Sequence, residues 1–447
     1  MQSLQELRES LQLAEQMARM SLTSGQDRQD ATDQGSMKKQ DSVPYVPPKQ
    51  LLLYLVRMGS FTSKPRVESE ENQDDHVVVP KDLDARALLE WVREPIKHLP
   101  AILPRNYRKA PTYGEIDSPS ISAGGTFRVM QWNILAQALG THADNFVMCP
   151  AKALEWNTRR YRILEEIVTH MPHIICLQEV DHFDVIERVL ASQGYKGVFM
   201  PKPESPCLFL PNNNGPDGCA VFWDDSKFKL IRKETRVVEV WHVQSNQVAI
   251  LLIFEERSTE KEIAVLTTHL KARQGALLSS LRNEQGKDLL GFLEQHCSSH
   301  PTIVCGDFNA DPSEPVYATM MDESTGLDSA YTVLNGGEEP PYSTWKIRES
   351  GEHCHNIDYI FYTPRNLCVE GGFDAPTEED LGPCRAPSFA YPSDHFSLIC
   401  DFSLQPERHV VLERDNNSTV SDGESNLPGV LENHESNTGI CNSKQLS

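Results

Sequence analysis

The sequence lacks the long apolar runs of a membrane protein. A membrane-spanning helix needs about 20 consecutive apolar residues, whereas the longest apolar stretch near the start covers only residues 51–56. The start also lacks the cationic flank and apolar core of a signal peptide, and Glu6, Glu9 and Glu15 argue against an organellar transit sequence. We therefore expect a soluble, cytoplasmic protein, with nuclear or mitochondrial location as alternatives.

Zinc-type cysteine spacing and an excess of positive charge are missing too. The 11 cysteines form no CxxC pair, and several lie in apolar runs, as Cys176 and Cys305 do, so we interpret them as reduced, buried thiols. The formal net charge is −22, whereas proteins that bind long stretches of phosphate backbone usually present a basic face. This composition favours a small phosphorylated ligand held by a few local cations.

The two ends of the chain contain little that could form a packed core. Residues 1–22 place apolar side chains at helical spacing and predict an amphipathic helix that binds a protein partner. We interpret residues 23–79 as a low-complexity linker, residues 80–125 as a short helical lead-in and residues 404–447 as a disordered tail. Translation from an internal start at Met58 would create an N-myristoylation motif.

Between these ends, residues 126–403 alternate strand and helix signals, which is typical of an α/β domain. The clearest helix signals cover residues 156–170, with Asn157 or Thr158 as the N-cap, and residues 276–296. Eight apolar runs predict strands: residues 127–135, 173–180, 219–223, 248–254, 263–270, 302–308, 357–363 and 396–402.

Polar side chains stand at the ends of these apolar strands. Strand ends hold functional groups rigidly, whereas a carboxylate in the middle of a core would need a partner to offset its burial. We therefore expect the polar side chains to converge on one site. The residues are Asn133, Glu179, His269, Asp307, Asn309, Asp358, Asp394 and His395.

The residue types suit metal-assisted chemistry on a phosphate. Mg²⁺ prefers oxygen ligands, usually one or two carboxylates together with waters and substrate phosphate oxygens. Glu179 can provide such a ligand, with help from Asp307 or Asp394. Asn133 and Asn309 can orient a carboxylate or a nucleophilic water without adding charge.

Histidines and cations complete the predicted constellation. Asp358 can hold the His395 imidazole in one tautomer and stabilise its protonated form, which leaves His269 free to bind a phosphate oxygen. Lys271 and Arg273 follow His269 at alternate positions and so share one face of an extended segment. Together these features predict a phosphohydrolase.

Each residue also has a structural explanation when it is taken singly. Residues 306–309 could form an ordinary Asx turn, and His269 or His395 could be a hydrogen-bonded interior histidine. Lys271 and Arg273 could form a solvated surface pair. The combination of roles, at strand ends, favours a site over these alternatives. A different class of function remains open, an adaptor that recruits partners through its N-terminal helix.

Six motifs occur in the order found in the exonuclease–endonuclease–phosphatase superfamily, which the chain resembles over about residues 126–403. Within it, the chain resembles relatives of the carbon catabolite repressor-type deadenylases. The motifs are QWNIL (131–135), LQEVD (177–181), THLKAR (268–273), CGDFN (305–309), IDYI (357–360) and PSDH (392–395).

The resemblance implies a four-layer α/β sandwich with two facing mixed β-sheets flanked by helices, and with the active site at one edge. It implies that Glu179 binds Mg²⁺, with Mn²⁺ as a substitute, and that Asn133 is its partner. Asp307 and Asn309 match the pair that positions the nucleophile. The family's Asp–His dyad corresponds to Asp358 and His395, and Asp394 would reach the metal or the water.

The resemblance also implies two substrates. This branch of the superfamily is credited with removing the 2′-phosphate of NADP⁺ and NADPH, and Lys202, Lys271, Arg273 and Arg348 are expected to hold the dinucleotide. The alternative is a poly(A)-specific 3′-exoribonuclease, an mRNA deadenylase that uses the same metal site on RNA. The acidic charge balance favours the dinucleotide.

Overall fold

The computed structural model of the protein describes residues 77–111, 125–142 and 145–405. Four predictions lie outside these residues: the helix over residues 1–22, the linker up to residue 76, the Met58 start and the tail after residue 405. Within the described ranges, no helix combines the length and the apolar character that a membrane span requires.

The described residues form fifteen strands. In chain order they are β1 (Tyr107–Lys109), β2 (Phe127–Asn133), β3 (Ile174–Val180), β4 (Tyr195–Pro201), β5 (Gly218–Asp224), β6 (Phe228–Val240), β7 (Val243–Glu256), β8 (Lys261–His269), β9 (Thr302–Asp307), β10 (Asp328–Ser329), β11 (Thr344–Arg348), β12 (Gly351–His355), β13 (Asp358–Tyr362), β14 (Leu367–Phe373) and β15 (Leu398–Leu404).

Nine α-helices accompany these strands in the described part of the chain, together with short 3₁₀ turns. They are α1 (Ala85–Arg93), α2 (Gln137–His142), α3 (Ala151–Leu154), α4 (Trp156–His170), α5 (Phe183–Ala191), α6 (Ala276–Cys297), α7 (Pro315–Met320), α8 (Ala330–Leu334) and α9 (Glu378–Leu381).

Most strands belong to two mixed sheets. The first has seven strands in the order β1-β14-β15-β2-β3-β5-β4, and the second has six in the order β10-β13-β9-β8-β7-β6. Strands β2 and β3 run parallel, as do β8 and β9, and the other neighbours are antiparallel. Strands β11 and β12 form a separate hairpin.

The two sheets face each other across the largest apolar core. Val129 and Cys176 of the first sheet pack in one buried cluster with Leu252 and Val265 of the second. Helices α4 and α5 cover the outer face of the first sheet, and α6 and α7 cover the outer face of the second. The order helix, sheet, sheet, helix confirms the predicted four-layer sandwich.

The predicted N-cap of the long helix α4 is wrong. The helix begins at Trp156, and neither Asn157 nor Thr158 caps it, because both lie inside its first turn. The short helix α3 ends at Leu154, so the chain turns at Glu155, whose extended backbone serves as the N-cap without a side-chain hydrogen bond.

The segment before residue 126 contributes to the first sheet. Helix α1 begins after Asp84, whose carboxylate accepts a hydrogen bond from the Ala87 N–H at 2.8 Å, as an N-cap does. Strand β1, which sequence patterns did not indicate, pairs with β14 at the sheet edge. Between them the buried Arg105 guanidinium contacts Glu166 of α4 at 2.9 Å and the backbone of Ser397 at 2.6 Å.

We expect Arg105→Met to lower the free energy of unfolding by about 3–5 kcal/mol, because it leaves the Glu166 carboxylate buried without its cation. Urea unfolding followed by circular dichroism measures the change. Arg86→Met provides the control, since the Arg86 ion pair with Glu90 is exposed and should contribute less than about 1 kcal/mol. Equal unfolding midpoints for the two variants would contradict the prediction.

Candidate active site

The strand register brings the polar strand ends to one edge of the sandwich. In the first sheet, Asn133 ends β2 and Glu179 is the penultimate residue of β3, which runs parallel to β2. In the second sheet, His269 ends β8 and is the register partner of Asp307, which ends β9. Strand β13 runs antiparallel to β9, so its first residue, Asp358, lies opposite Asp307.

Asn133 connects carboxylates from the two sheets. Its side-chain amide donates to Glu179 Oε1 at 3.1 Å and to Asp307 Oδ2 at 2.8 Å. The other Glu179 oxygen accepts from the Ala136 N–H at 3.0 Å. Glu179 has a left-handed backbone (φ 54°) inside an irregularity of β3, and such bulges re-aim side chains next to active sites. Each oxygen of the Glu179 carboxylate therefore accepts a hydrogen bond that orients it.

Asp307 is buried at the centre of the cluster. Its Oδ1 accepts from the Asn309 N–H at 2.9 Å, and the Asn309 side chain donates to Leu270 O at 3.1 Å, so this segment is also an Asx turn. Burial and the nearby Asp358 carboxylate raise the pKa of Asp307 to about 7, against the lowering effect of His395. The turn leaves Asp307 Oδ2 facing the cluster.

The predicted dyad has the expected geometry. His395 Nδ1 lies 2.8 Å from Asp358 Oδ2, and the Ser343 hydroxyl donates to the same oxygen at 2.7 Å. Burial alone would lower the pKa of His395, but Asp358, Asp394 and Asp307 raise it to about 9. The imidazole is therefore protonated near neutral pH, with Nε2 lying 3.8 Å from Asp307 Oδ2.

The second histidine differs from the first in its charge. His269 Nδ1 lies 3.3 Å from the ammonium of Lys202. Because an ammonium can only donate, Nδ1 must accept, and the proton of the neutral imidazole is on Nε2. Burial, followed by the charges of Lys202 and His395, keeps the pKa of His269 well below its usual value. His269 Nε2 lies 3.5 Å from Asp307 Oδ2, where its N–H can serve as a neutral donor.

The four predicted substrate-binding cations lie in two places. Lys202 is buried in an ion pair with Asp217 at 2.6 Å. Lys202 also contacts His269, and Lys271 and Arg273 follow His269 directly after β8. Burial, followed by the charges of Arg273 and Lys202, lowers the pKa of Lys271 to about 8. Arg348 lies elsewhere, with its guanidinium 3.6 Å from Asp394 Oδ2.

Sequence patterns did not identify Lys346, the second cation beside Asp394. Its ammonium forms an ion pair with Asp394 Oδ2. Burial alone would raise the pKa of Asp394, but Lys346, His395 and Arg348 hold it below its usual range. Lys346 and Arg348 alternate along β11 and so share one face, which is the spacing that identified Lys271 and Arg273.

A pair of amides lies beneath the cluster and was also missed. Gln131 and Gln178 of the first sheet exchange two side-chain hydrogen bonds, at 2.6 and 2.8 Å. Gln178 also donates to Thr267 Oγ1 at 3.0 Å, and Gln131 lies 3.4 Å from Asp358 Oδ1, so the pair reaches the second sheet. The available signal was a glutamine inside each of two apolar strand motifs.

The donor set fits a divalent cation. Ligand atoms of Asp307, Asp358 and His395 lie within 4.8 Å of one another. Asp358 and His395 are already joined by a hydrogen bond, which leaves the oxygens of Glu179 and Asp307 available to a cation. Burial and the neighbouring Asp358 carboxylate raise the pKa of Asp307, so its charged form lacks full compensation within the site. A divalent cation would supply the charge.

Comparisons with known proteins identify the family of the chain. A model of the endonuclease/exonuclease/phosphatase family matches residues 130–395. Nocturnin of Drosophila melanogaster is 48% identical over 403 residues, which cover 81% of this chain and 62% of that protein. Nocturnin of Xenopus laevis is 44% identical over 360 residues, which cover 79% of this chain and 91% of that protein.

Solved and more distant proteins extend the comparison. The human nocturnin catalytic domain, solved with a bound sulfate anion, matches with a TM-score of 0.56 and 40% identity, over 67% of this chain and 98% of that domain. The Ccr4 exoribonuclease subunit of the CCR4-Not complex from Debaryomyces hansenii is 26% identical, over 65% of this chain and 40% of that protein. The chain therefore belongs to the endonuclease/exonuclease/phosphatase family and, within that family, to the nocturnins.

Proposed function

We propose that this protein is a Mg²⁺-dependent phosphohydrolase that removes the 2′-phosphate of NADP⁺ and NADPH to give NAD⁺ and NADH. The observation that carries the proposal is a small local set of cations beside the buried cluster, in a chain whose net charge is −22: Lys202 contacts His269, and Lys271 and Arg273 follow His269 directly after β8. A phosphomonoester needs a few local charges, whereas a long RNA strand needs an extended basic face.

The sulfate in the human nocturnin catalytic domain supports the same proposal. Sulfate has the tetrahedral shape and double negative charge of a phosphomonoester, so a related fold accommodates such a group. The proposal transfers this capacity to the present chain, which shares 40% of its residues with that domain over the matched region.

Glu179 and Asp307 would hold the cation. A bound Mg²⁺ would polarise the phosphoryl oxygen and assist the attack of water. Asp307 is placed to orient that water or to accept its proton, because its Oδ2 faces the cluster between Asn133 and His269. Asn309 fixes the turn that aims Asp307, and Asn133 sets the separation of the two carboxylates.

The histidines would stabilise the charge that develops on the phosphate. His269 is placed to donate from a neutral Nε2–H, and His395 from an imidazolium that Asp358 orients. Lys202 would act through its contact with His269, since Asp217 already occupies its ammonium. Asp394 would hold Lys346 and Arg348 at the opposite side of the site.

The outer cations would bind the remainder of the ligand. Arg273 is exposed and Lys271 is half-buried, so both are accessible to a dinucleotide. Arg348 would bind it from the other side. This two-sided arrangement suits a ligand with phosphates at separate positions, as NADP(H) has.

A comparison of two substrates tests the proposal. Purified protein should release inorganic phosphate from NADPH in Mg²⁺ buffer, stop when EDTA is added, and leave a 5′-labelled oligo(A) intact. Shortening of the oligo(A) without phosphate release from NADPH would replace the proposal with the 3′-exoribonuclease alternative, which the Ccr4 relative supports. If the purified protein acts on neither substrate and yet retains its biological effect in cells, the adaptor hypothesis is favoured.

We expect the affinity for NADPH to fall as the pH rises through about 8, because Lys271 loses its proton there and with it a charge-assisted hydrogen bond to phosphate. The KM should rise about tenfold between pH 7 and 9. Lys271→Arg should remove this rise, since arginine stays charged. Lys229→Arg, at a lysine paired with Glu255, should keep the wild-type profile. Indistinguishable profiles for all three proteins would contradict the assignment.

A further inference from the structure

Arg159 is a fully buried arginine behind the active site. It lies in the first turn of α4 and donates to neutral oxygens: Nε to Pro392 O at 2.8 Å and Nη1 to Gln137 Oε1 at 2.9 Å. Nη2 donates to Ile134 O at 2.5 Å and also to Leu135 O. Among the described residues, no carboxylate lies within ion-pair distance of the guanidinium. Its hydrogen bonds therefore organise backbone.

The two carbonyls of residues 134 and 135 belong to the peptide groups that orient the metal-site side chains. The first of these peptide groups donates its other end, the Leu135 N–H, to Asn133 Oδ1 at 3.0 Å. The second donates the Ala136 N–H to Glu179 Oε2 at 3.0 Å. Because a peptide group is planar, fixing its carbonyl also fixes its N–H. Each peptide group is thus held between Arg159 and a side chain of the site.

The backbone between these peptide groups is strained. Leu135 has a left-handed conformation (φ 62°), which costs an ordinary residue about 1–2 kcal/mol. A left-handed residue between two peptide groups turns successive N–H groups to one side, and such N–H groups form a concavity that binds anions. The two hydrogen bonds from Arg159 Nη2 to Ile134 O and Leu135 O hold the peptide groups on either side of Leu135 and so oppose this strain.

The hydrogen bond from Arg159 to Pro392 O also positions the segment that carries His395. The next residue, Ser393, donates from its hydroxyl to Asn133 O at 2.7 Å and accepts from the His395 N–H at 3.1 Å. One guanidinium therefore connects the loop after β2 with the segment that carries His395.

We propose that Arg159 is a positioning residue whose guanidinium shape, acting through two peptide groups, holds Glu179 and Asn133 in the geometry that binds the divalent cation. The inference rests on the assignment of Glu179 as a metal ligand in the proposed function. Removing an outer partner of a ligand usually weakens metal affinity 10–100-fold.

The charge of Arg159 affects metal affinity in the opposite direction to its hydrogen bonds. A buried cation near Glu179 repels a second cation, so loss of the charge alone would strengthen metal binding. Arg159→Lys keeps the charge but loses the fork that reaches several carbonyls at once. Arg159→Met loses both. The two variants therefore separate shape from charge.

Mn²⁺ binding, followed by the electron paramagnetic resonance signal of the free ion, tests the inference without substrate. We expect both Arg159→Lys and Arg159→Met to weaken Mn²⁺ binding at least tenfold. Arg162→Lys is the matched control, because Arg162 is also buried on α4 and donates to the backbone of Phe389 and Pro100, away from the cluster. It should bind Mn²⁺ as the wild type does.

The outcomes are distinguishable. Unchanged affinity in Arg159→Lys, or tighter binding in Arg159→Met, would overturn the inference while leaving the proposed function intact. Absence of Mn²⁺ binding in the wild type would instead contradict the metal site itself. Thermal unfolding without metal checks the fold of each variant. If neither Arg159 variant folds while Arg162→Lys does, Arg159 is a folding residue and the inference fails.

Discussion

Glu179→Gln should lower the turnover of NADPH about a thousandfold, which corresponds to roughly 4 kcal/mol of lost transition-state stabilisation. Glutamine has the same shape and can still accept from the Ala136 N–H, but it lacks the charge that binds a divalent cation. The thermal stability should therefore stay close to that of the wild type. Phosphate release at saturating Mg²⁺ measures the effect.

Two measurements make this prediction specific. Glu260→Gln removes an exposed carboxylate between β7 and β8 and should retain full activity. Excess Mg²⁺ should not restore Glu179→Gln, because the lost charge is a ligand and not only a source of local attraction. A variant with more than a tenth of wild-type turnover would rule out Glu179 as the principal ligand.

The second large effect concerns the Asp358–His395 dyad. His395→Asn and Asp358→Asn should each lower kcat about 10²–10⁴-fold, the range expected for a positioned acid or base. The first variant removes the imidazolium beside Asp307, and the second removes the carboxylate that contributes most to its raised pKa. The double variant should be little worse than either single variant, since the two residues act as a unit.

A second buried His–Asp pair supplies the control for the dyad. His182 Nδ1 lies 2.8 Å from Asp181 Oδ1, the same separation as in the dyad, but its ring stacks on Trp156 at 3.8 Å outside the cluster. His182→Asn should change stability more than turnover. Additive losses in the dyad double variant, or equal losses of turnover in His182→Asn, would contradict the assigned roles.

Sequence patterns predicted the central strands because these strands are apolar on both faces. Strands β3, β9 and β13 are covered by a sheet on one side and helices on the other, so they form continuous apolar runs. Edge strands β1 and β6 were missed because charged residues interrupt their apolar pattern, which protects sheet edges but hides the strand signal.

The site was predictable for a related reason. A carboxylate or histidine directly after a buried strand is conspicuous, and parallel neighbours bring such residues to one edge. The ion pairs were less predictable, because Lys202 and Asp217 meet only after the chain folds back. Arg159 was missed because the apolar stripe of α4 identifies its sheet-facing side. That stripe does not reveal that loops bury the polar side as well.

The Gln131–Gln178 pair and the apolar core affect different properties of the sandwich. Apolar side chains between the sheets contribute most of the free energy, but they tolerate small lateral shifts because dispersion has little direction. The hydrogen bonds from Gln178 to Thr267 at 3.0 Å and from Gln131 to Asp358 at 3.4 Å cross between the sheets and depend on direction, so a lateral shift would break them. We therefore infer that the glutamines help to align the two sheets, each of which carries part of the site. Stability and catalytic precision can then vary separately in this fold, since different side chains determine them.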